Sequence, residues 1–263
     1  MLAENVAEPW WAALYDDAVA DVLLVRADPA EVAATVNFLW QALDLRAGAR
    51  VFDQCCGIGG IAVPLAQRGA QVVGVDQSER YIARAAAAAA AAQVRCQLVA
   101  GDAFLFVPDE PCDGAFNWGT SFGNALRDDD NLQMLHRAYA ALKPGGHFVL
   151  DYQHIARVLL DFQPSIIRRG RSSLPGQPDA EVVLLRESTL KLARGVLSQR
   201  WTIYTPDGRQ REVSSEVRLY LPHELARLLA AAGFDDVRFH GDLEGGPLLP
   251  RSPRCLAVAR RRG

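Results

Sequence analysis

The sequence predicts an α/β chain built on a seven-stranded, mostly parallel sheet with helices on both faces, and three observations predict it. Short apolar runs such as Val51–Gln54 and Val72–Asp76 alternate with stretches of helical period, the pattern of βαβ units whose strands are covered on both sides. The first run ends in Cys56-Gly57-Ile58-Gly59-Gly60, and the second ends in Asp76, 23 residues beyond Asp53. Glycines let the backbone approach a ligand closely, and an acid at the tip of the next strand suits a ribose diol, so the pair marks a nucleotide-like cofactor site. Between about Ser165 and Tyr220 the pattern shifts to β-branched, alternating residues, which reads as an inserted antiparallel meander.

Element by element, Trp10 to Leu24 and Ala30 to Leu43 carry apolar residues at helical spacing and predict two helices ahead of the sheet. Strand Arg50–Gln54 is followed by helix Gly60–Arg68. Strand Gln71–Asp76 is followed by helix Ser78–Ala92, with Ser78 as its N-cap. Val94–Ala100 and Cys112–Asn117 are the third and fourth strands, Asp128–Leu142 a helix, Lys143-Pro144-Gly145-Gly146 a turn, and His147–Tyr152 the fifth strand. In the insertion, Glu181–Leu192, Val196–Tyr204 and Arg211–Tyr220 are strands separated by Ala193-Arg194-Gly195 and Pro206-Asp207-Gly208, both turn chemistries. Arg169–Pro178, rich in Gly, Pro and Ser, is expected to be a mobile loop. Pro222–Gly233 is a helix closed by a glycine, and Val237–His240 and Cys255–Ala259 are the last strands.

Composition narrows the function. Net charge is −3 and the only basic tract is Arg260-Arg261-Arg262, which argues against a nucleic-acid partner. No apolar run reaches the roughly 20 residues that span a bilayer, and Met1-Leu2-Ala3-Glu4 carries an acid where a signal peptide has its basic region. A cytoplasmic protein with no membrane partner is expected. Five cysteines (Cys55, Cys56, Cys96, Cys112, Cys255) lack paired Cys-x-x-Cys spacing, so reduced, buried thiols and no metal site are expected.

Asp53-x-x-Cys56-Gly57-x-Gly59, followed by Gly74-x-Asp76-x-Ser78, resembles the first two motifs of the class I S-adenosylmethionine-dependent methyltransferases. The resemblance continues through Gly101-Asp102-Ala103, Leu142-Lys143-Pro144-Gly145-Gly146 and Ala232-Gly233-Phe234. The segment Ser121-Phe122-Gly123, with Arg218-Leu219-Tyr220, is similar to a small-molecule subgroup. It implies a Rossmann-like sheet, an N-terminal helical lid over the cofactor (residues 1–45), a binding domain of residues 46–164 and 221–263, and a substrate-covering insertion at 165–220. It implies S-adenosylmethionine as cofactor. A dehydrogenase is the more distant reading, because NAD-binding chains usually show Gly-x-Gly-x-x-Gly without the leading Asp and Cys.

The resemblance also implies site residues. Gly57 and Gly59 are expected to turn backbone amides toward the methionine end. Asp53 would orient that turn or meet the amino group, Asp76 would accept from the ribose hydroxyls, and Asp102 and the Ala103 amide would bracket adenine. Cys55, Gln77, Asn117, Trp118 and Tyr15 complete the expected cofactor set. For the carboxylates and Asn117 a satisfied strand-end cap is the competing reading, and for Cys55 simple packing. Trp10, Thr120, Phe122 and Trp201 are expected to line an apolar acceptor pocket.

Methyl transfer needs a lone pair aligned with the C–S bond, and a general base only if the nucleophile arrives protonated. His154 and Tyr152 lie just past the fifth strand, where such sites form, and are the catalytic candidates. A helix-start His facing solvent and a packing Tyr are their competing readings. The function expected is methyl transfer to an N or O atom of a small molecule, a secondary metabolite, by a monomer or homodimer. A non-catalytic cofactor-binding sensor and a nucleic-acid methyltransferase are the alternatives.

Overall fold

The computed structural model describes residues 9–26, 28–119, 121–173 and 180–263. Ahead of the sheet lie α1 (Trp10–Leu14), α2 (Asp17–Leu23) and α3 (Pro29–Ala42). The expected helix from Trp10 to Leu24 is broken at Tyr15–Asp16. Asp16 sits in extended conformation and its carboxylate accepts from the Val19 amide at 3.0 Å, so it starts a new helix instead of continuing the old one.

Five strands and three helices follow, alternating except between the third and fourth strands: β1 (Arg50–Gln54), α4 (Ala62–Gln67), β2 (Gln71–Asp76), α5 (Glu79–Ala91), β3 (Cys96–Ala100), β4 (Cys112–Asn117), α6 (Asp128–Ala141) and β5 (Leu142–Tyr152). β1, β2 and β4 run between the expected residues. β5 begins five residues early: Leu142 pairs with Cys112 and His147 with Gly114, so the expected Lys143–Gly146 turn, with Gly145 at φ +82°, is carried as a bulge inside the strand. The next elements are α7 (Ile155–Leu160), β6 (Ser165–Arg171), β7 (Glu181–Lys191), β8 (Val196–Tyr204) and β9 (Gln210–Arg218). α8 (Pro222–Ala231), β10 (Phe234–His240) and β11 (Cys255–Arg261) close the chain.

The seven-stranded sheet has the order β10-β11-β5-β4-β1-β2-β3. β11 runs antiparallel to β5 and β10; the remaining pairs are parallel. Strands β1 to β3 build outward on one side and β4 returns to the other side of β1, so the winding reverses between β1 and β4, where α/β sheets open a crevice. Alternation divides the apolar residues between two faces. Phe52, Phe148 and Leu150 pack with α6 and α8, while Val51, Val72 and Val149 pack with α3 and α4.

β6 to β9 form a separate antiparallel four-stranded sheet. Arg169–Arg171, expected in a loop, belongs to β6 and pairs with β7; residues 174–178 of that expected loop lie outside the described residues. Its inner face, with Val182, Leu184, Trp201 and Ile203, packs against Leu14, Ala18 and Val19 of α1 and α2. Gly170 allows α2 to come this close, since a Cβ there would stand 2.8 Å from the Asp21 carbonyl oxygen. Polar contacts hold the same junction. Asp21, buried, accepts from the Ser173 amide and hydroxyl at 2.7 and 2.8 Å and from Arg84 of α5 at 2.7 Å. Arg211 of β9 donates to the Ala13 and Leu14 carbonyls at 2.8 and 3.0 Å and pairs with Asp16 at 2.7 Å.

At the other end of the insertion, Tyr152 donates to the Arg218 carbonyl at 2.5 Å and accepts from the Tyr220 amide at 3.1 Å. Phe122, Tyr152 and Tyr220 pack ring against ring, with centroids 5.8 to 6.0 Å apart. Gly123 has φ +90°, and a Cβ on it would stand 2.7 Å from the Arg218 carbonyl. The Ser-Phe-Gly and Arg-Leu-Tyr segments therefore form one joint between the two sheets. His154, buried at the start of α7, bonds through Nε2 to the Leu249 carbonyl at 2.8 Å. No described helix is long and apolar enough to cross a membrane.

Tyr152→Phe removes both bonds of the buried hydroxyl. It should lower stability by about 1–3 kcal/mol in urea unfolding while leaving ligand affinity at the cleft unchanged. A loss of affinity without a loss of stability would place Tyr152 in the site instead.

Candidate functional site

A cleft opens over the carboxyl ends of β1, β2 and β4, roofed by the α1–α2 segment, with ≈ 1090 Å³ of atom-free space including its open mouth. Its floor is a turn of unusual backbone. Cys55, Gly57 and Gly59 have φ of +67°, +56° and +78°. Glycine occupies that region freely, whereas a side chain there is strained, so Cys55 stores strain at the site. Gly59 also has a steric reason: a Cβ would lie 3.0 Å from the Ala85 Cβ of α5. Gly74 is similarly demanded, because a Cβ would stand 2.9 Å from Cys56 Sγ.

Asp76 ties this floor together. Its Oδ2 accepts from the Gly57 amide at 2.9 Å and its Oδ1 from the Ser78 amide at 3.0 Å, leaving a lone pair on each oxygen. Burial raises its pKa, and the two backbone bonds pull it back. Asp53, at the end of β1, has no protein donor within hydrogen-bond distance among the described residues. Burial lifts its carboxyl from 3.8 to about 8, against the opposing pull of Arg26. Tyr15, placed by the helix break, is pushed up to about 12 by burial and by nearby Cys55 and Asp76, while a side-chain hydrogen bond with Asn124 opposes the shift. The phenol is therefore neutral at neutral pH. Burial raises the Cys55 thiol as well, so it is no thiolate nucleophile.

Of the residues singled out from sequence, Tyr15, Asp53, Cys55, Gly57, Asp76, Gln77, Asp102, Ala103 and Trp118 meet at this cleft. Cys55, half-buried, lines it while also packing against the core. Gly59 lies beneath, against α5. Asn117 is also beneath: fully buried, it donates to Gln54 Oε1 at 3.2 Å, so its side-chain amide is not a cleft group. His154 and Tyr152 do not line the cleft, and their bonds to Leu249, Arg218 and Tyr220 give them structural work; the catalytic expectation is withdrawn. Phe122 belongs to the aromatic joint, and Trp10 and Trp201 to the packing between lid and insertion, where Trp201 Nε1 donates to Ser215 Oγ at 3.0 Å. None of the three lines the cleft, so the expected aromatic acceptor wall does not form from them. Thr120 lies outside the described residues.

The cleft also contains residues that sequence reasoning missed: Trp11, Arg26, Phe104, Ser121 and Asn124. Phe104 follows the Asp102-Ala103 pair, and its ring lies 6.3 Å from Trp11 in a tilted stack. Ser121 and Asn124 flank Phe122-Gly123, so the strand-four motif was a usable signal for both. Arg26, between α2 and α3, offered no motif. It lies across two turns of the floor, and a Cβ on Gly60 or Gly119 would stand 3.4 or 3.8 Å from its side chain.

A winding reversal with a glycine turn and strand-end acids at the carboxyl edge defines an α/β protein of the nucleotide-cofactor-binding kind. Residues 51–146 match the family model "Methyltransferase domain". The fold matches the CcbJ methyltransferase from Streptomyces caelestis with TM-score 0.75 and 25% identity, covering 95% of this chain and 98% of that one. It also matches S-adenosylmethionine-bound CalS10, an amino pentose methyltransferase from Micromonospora echinaspora, with TM-score 0.63 and 22% identity over 88% and 90% of the two chains. Among curated proteins it is 33% identical over 113 residues to the S-adenosyl-L-methionine-dependent Diels-Alderase iccD of Talaromyces variabilis. That match spans 41% of this chain and 37% of the relative's length. The family match covers the chain from β1 to the start of β5, and the fold is one that solved methyltransferases share.

The raised Asp53 carboxyl makes stability depend on pH. Between 3.8 and about 8 the folded, ligand-free chain keeps a proton that the unfolded chain has released, so stability falls as pH rises through that window. Thermal melts at about pH 5 and about pH 8 should show this drop, and Asp53→Asn, which cannot titrate, should flatten it. Equal pH dependence in both proteins would refute the assignment.

Proposed function

We propose that the chain is an S-adenosylmethionine-dependent methyltransferase acting on an N or O atom of a small molecule, a secondary metabolite, by in-line displacement. The observation that carries the reading is Asp76, which lines the cleft and braces the glycine turn through Gly57 while each carboxylate oxygen keeps a lone pair unused by the protein. The likeness to CcbJ and to an amino pentose methyltransferase involved in calicheamicin biosynthesis supports the substrate class.

The residues present fit the cofactor. Asp76 would hold the ribose diol, and the Gly57 turn with Asp53 would face the amino-acid end. Asp102, with one oxygen already engaged by the Phe104 amide at 2.8 Å, would offer the other to the adenine amine beside Ala103. Trp11, Tyr15 and Trp118 would shield the reacting face from water. When bound, S-adenosylmethionine supplies a methyl group already activated by its sulfonium. The protein's share is to align the acceptor and exclude solvent. Neutral Tyr15 and Asn124 are suited to orienting an acceptor by hydrogen bonds, and Tyr15 does not serve as a base at neutral pH. A second reading comes from the Diels-Alderase relative: the same cleft would hold the cofactor while an acceptor is cyclised with no group transferred.

Incubation with methyl-labelled S-adenosylmethionine and a panel of amino sugars, amines and phenols should give a methylated product and one equivalent of S-adenosylhomocysteine. An isomerised acceptor with the donor intact would favour the second reading, and tight cofactor binding with no turnover would favour a sensor; label in RNA alone would make it a nucleic-acid enzyme. Asp76→Ala should weaken S-adenosylhomocysteine binding by about 1–3 kcal/mol in calorimetry. An unchanged affinity would sink the cofactor assignment.

A further inference from the structure

Two arginines of the insertion stand together without a counter-ion. Arg186 of β7 lies two residues beyond Leu184 on the sheet's inner face, opposite Trp201, and its guanidinium sits 5.5 Å from the centre of that indole. Arg168 of β6 shares this face on the diagonal, since Ile166 pairs with Arg186 and Arg168 with Leu184. Among the described residues neither meets a carboxylate within ion-pair distance. The outer face differs: there Arg169 and Arg200 take Glu181 and Glu187, each at 2.6 Å. Stacking on Trp201 occupies the flat side of the Arg186 guanidinium and leaves its edge, where the N–H donors lie. The fold gives the buried Nε no acceptor, and the Ser188 hydroxyl, two residues along the same face, is likewise buried without a partner. Burial and the like charge of Arg168 both weigh against the charged form of Arg186. Folding gains nothing from this arrangement, because like charges repel and an unmatched buried donor is costly. An anion beside the pair would relieve both.

We infer that Arg186, with Arg168 and Ser188, forms a phosphate subsite for the methyl acceptor. Two guanidinium groups and a hydroxyl suit a dianion with several acceptor oxygens better than a single carboxylate. Its place in the fold ties the subsite to the acceptor. Trp201 belongs to the apolar cluster on which Tyr15 packs, and Tyr15 lines the cleft. The subsite thus adjoins the cleft wall, where an acceptor with phosphate remote from its nucleophilic atom would extend. The acceptor's charged end is then held by the insertion, while its reacting end meets the parallel sheet. The inference rests on the methyl-transfer reading above.

Calorimetry of the protein saturated with S-adenosylhomocysteine tests the subsite, with pyrophosphate, phosphate and acetate as titrants. Pyrophosphate should bind best and acetate not measurably. Arg186→Gln should weaken pyrophosphate about 10-fold or more, the scale of one charge-assisted hydrogen bond, and Arg168→Gln by a smaller factor. Both variants should keep the wild-type affinity for S-adenosylhomocysteine, which also shows that they are folded. No pyrophosphate binding, equal binding by wild type and Arg186→Gln, or displacement of S-adenosylhomocysteine by pyrophosphate would each overturn the subsite. Methyl-transfer assays with amino sugars, their monophosphates and their diphosphate-linked forms test the acceptor role and distinguish the two sources of phosphate. A phosphorylated form should show a KM about 10-fold or more below its neutral counterpart, and Arg186→Gln should erase that advantage while keeping kcat. Equal KM values for neutral and phosphorylated forms would overturn the acceptor role. If no acceptor is methylated the methyl-transfer reading fails, and the calorimetry still decides the phosphate site.

Discussion

The site depends on one carboxylate holding two amides. Asp76 leaves β2 and reaches back to the Gly57 amide while accepting from Ser78 on its own side. The first bond pins the floor of the cleft to the neighbouring strand, and the second starts α5, whose Ser78 hydroxyl then caps the Tyr81 amide at 3.3 Å. α5 in turn lets Gly59 press against Ala85. Turn, strand tip and helix start are therefore one unit, and a shift in any of them moves the rest. The positive φ at Cys55 is tolerated because this unit over-determines the backbone around it.

Above that unit, the roof is held by the insertion more than by the parallel sheet. Arg211 satisfies carbonyls at the end of α1, where the helix leaves acceptors unpaired and its dipole favours a cation. Asp21 gathers Ser173 and Arg84, so it joins β6's end, α2 and α5. Tyr15 faces the cleft because Asp16 ends one helix and begins another between these two anchors. An expected lid of one long helix is in fact two short ones with a functional corner.

Much of this was legible in the sequence. β1, β2 and β4 are apolar on both faces and bounded by turn residues, so their limits could be read directly. The acids and glycines at their ends follow from where such strands stop. What stayed hidden has a physical cause in each case. An aromatic residue announces burial but not against what, so Phe122, Tyr152 and Trp201 read as pocket or catalytic residues when they serve as packing. β6 carries arginines and a glycine that obscure its alternation, and only its pairing with β7 makes it a strand. Arg26 belongs to the cleft through chain geometry alone, since nothing in its local sequence separates it from a surface arginine.

The anchoring of the roof has a kinetic side. α1 and α2 are packed and bonded to the four-stranded sheet, so a ligand enclosed beneath them escapes through the open mouth or by lifting that whole layer off the parallel sheet. The joint at Phe122, Tyr152 and Tyr220 and the bond from Tyr81 to the Asp16 carbonyl resist such a movement. Escape by the second route is then governed by contacts that never touch the ligand. Changes far out on β7 to β9 can alter how quickly the site empties without altering how it is shaped.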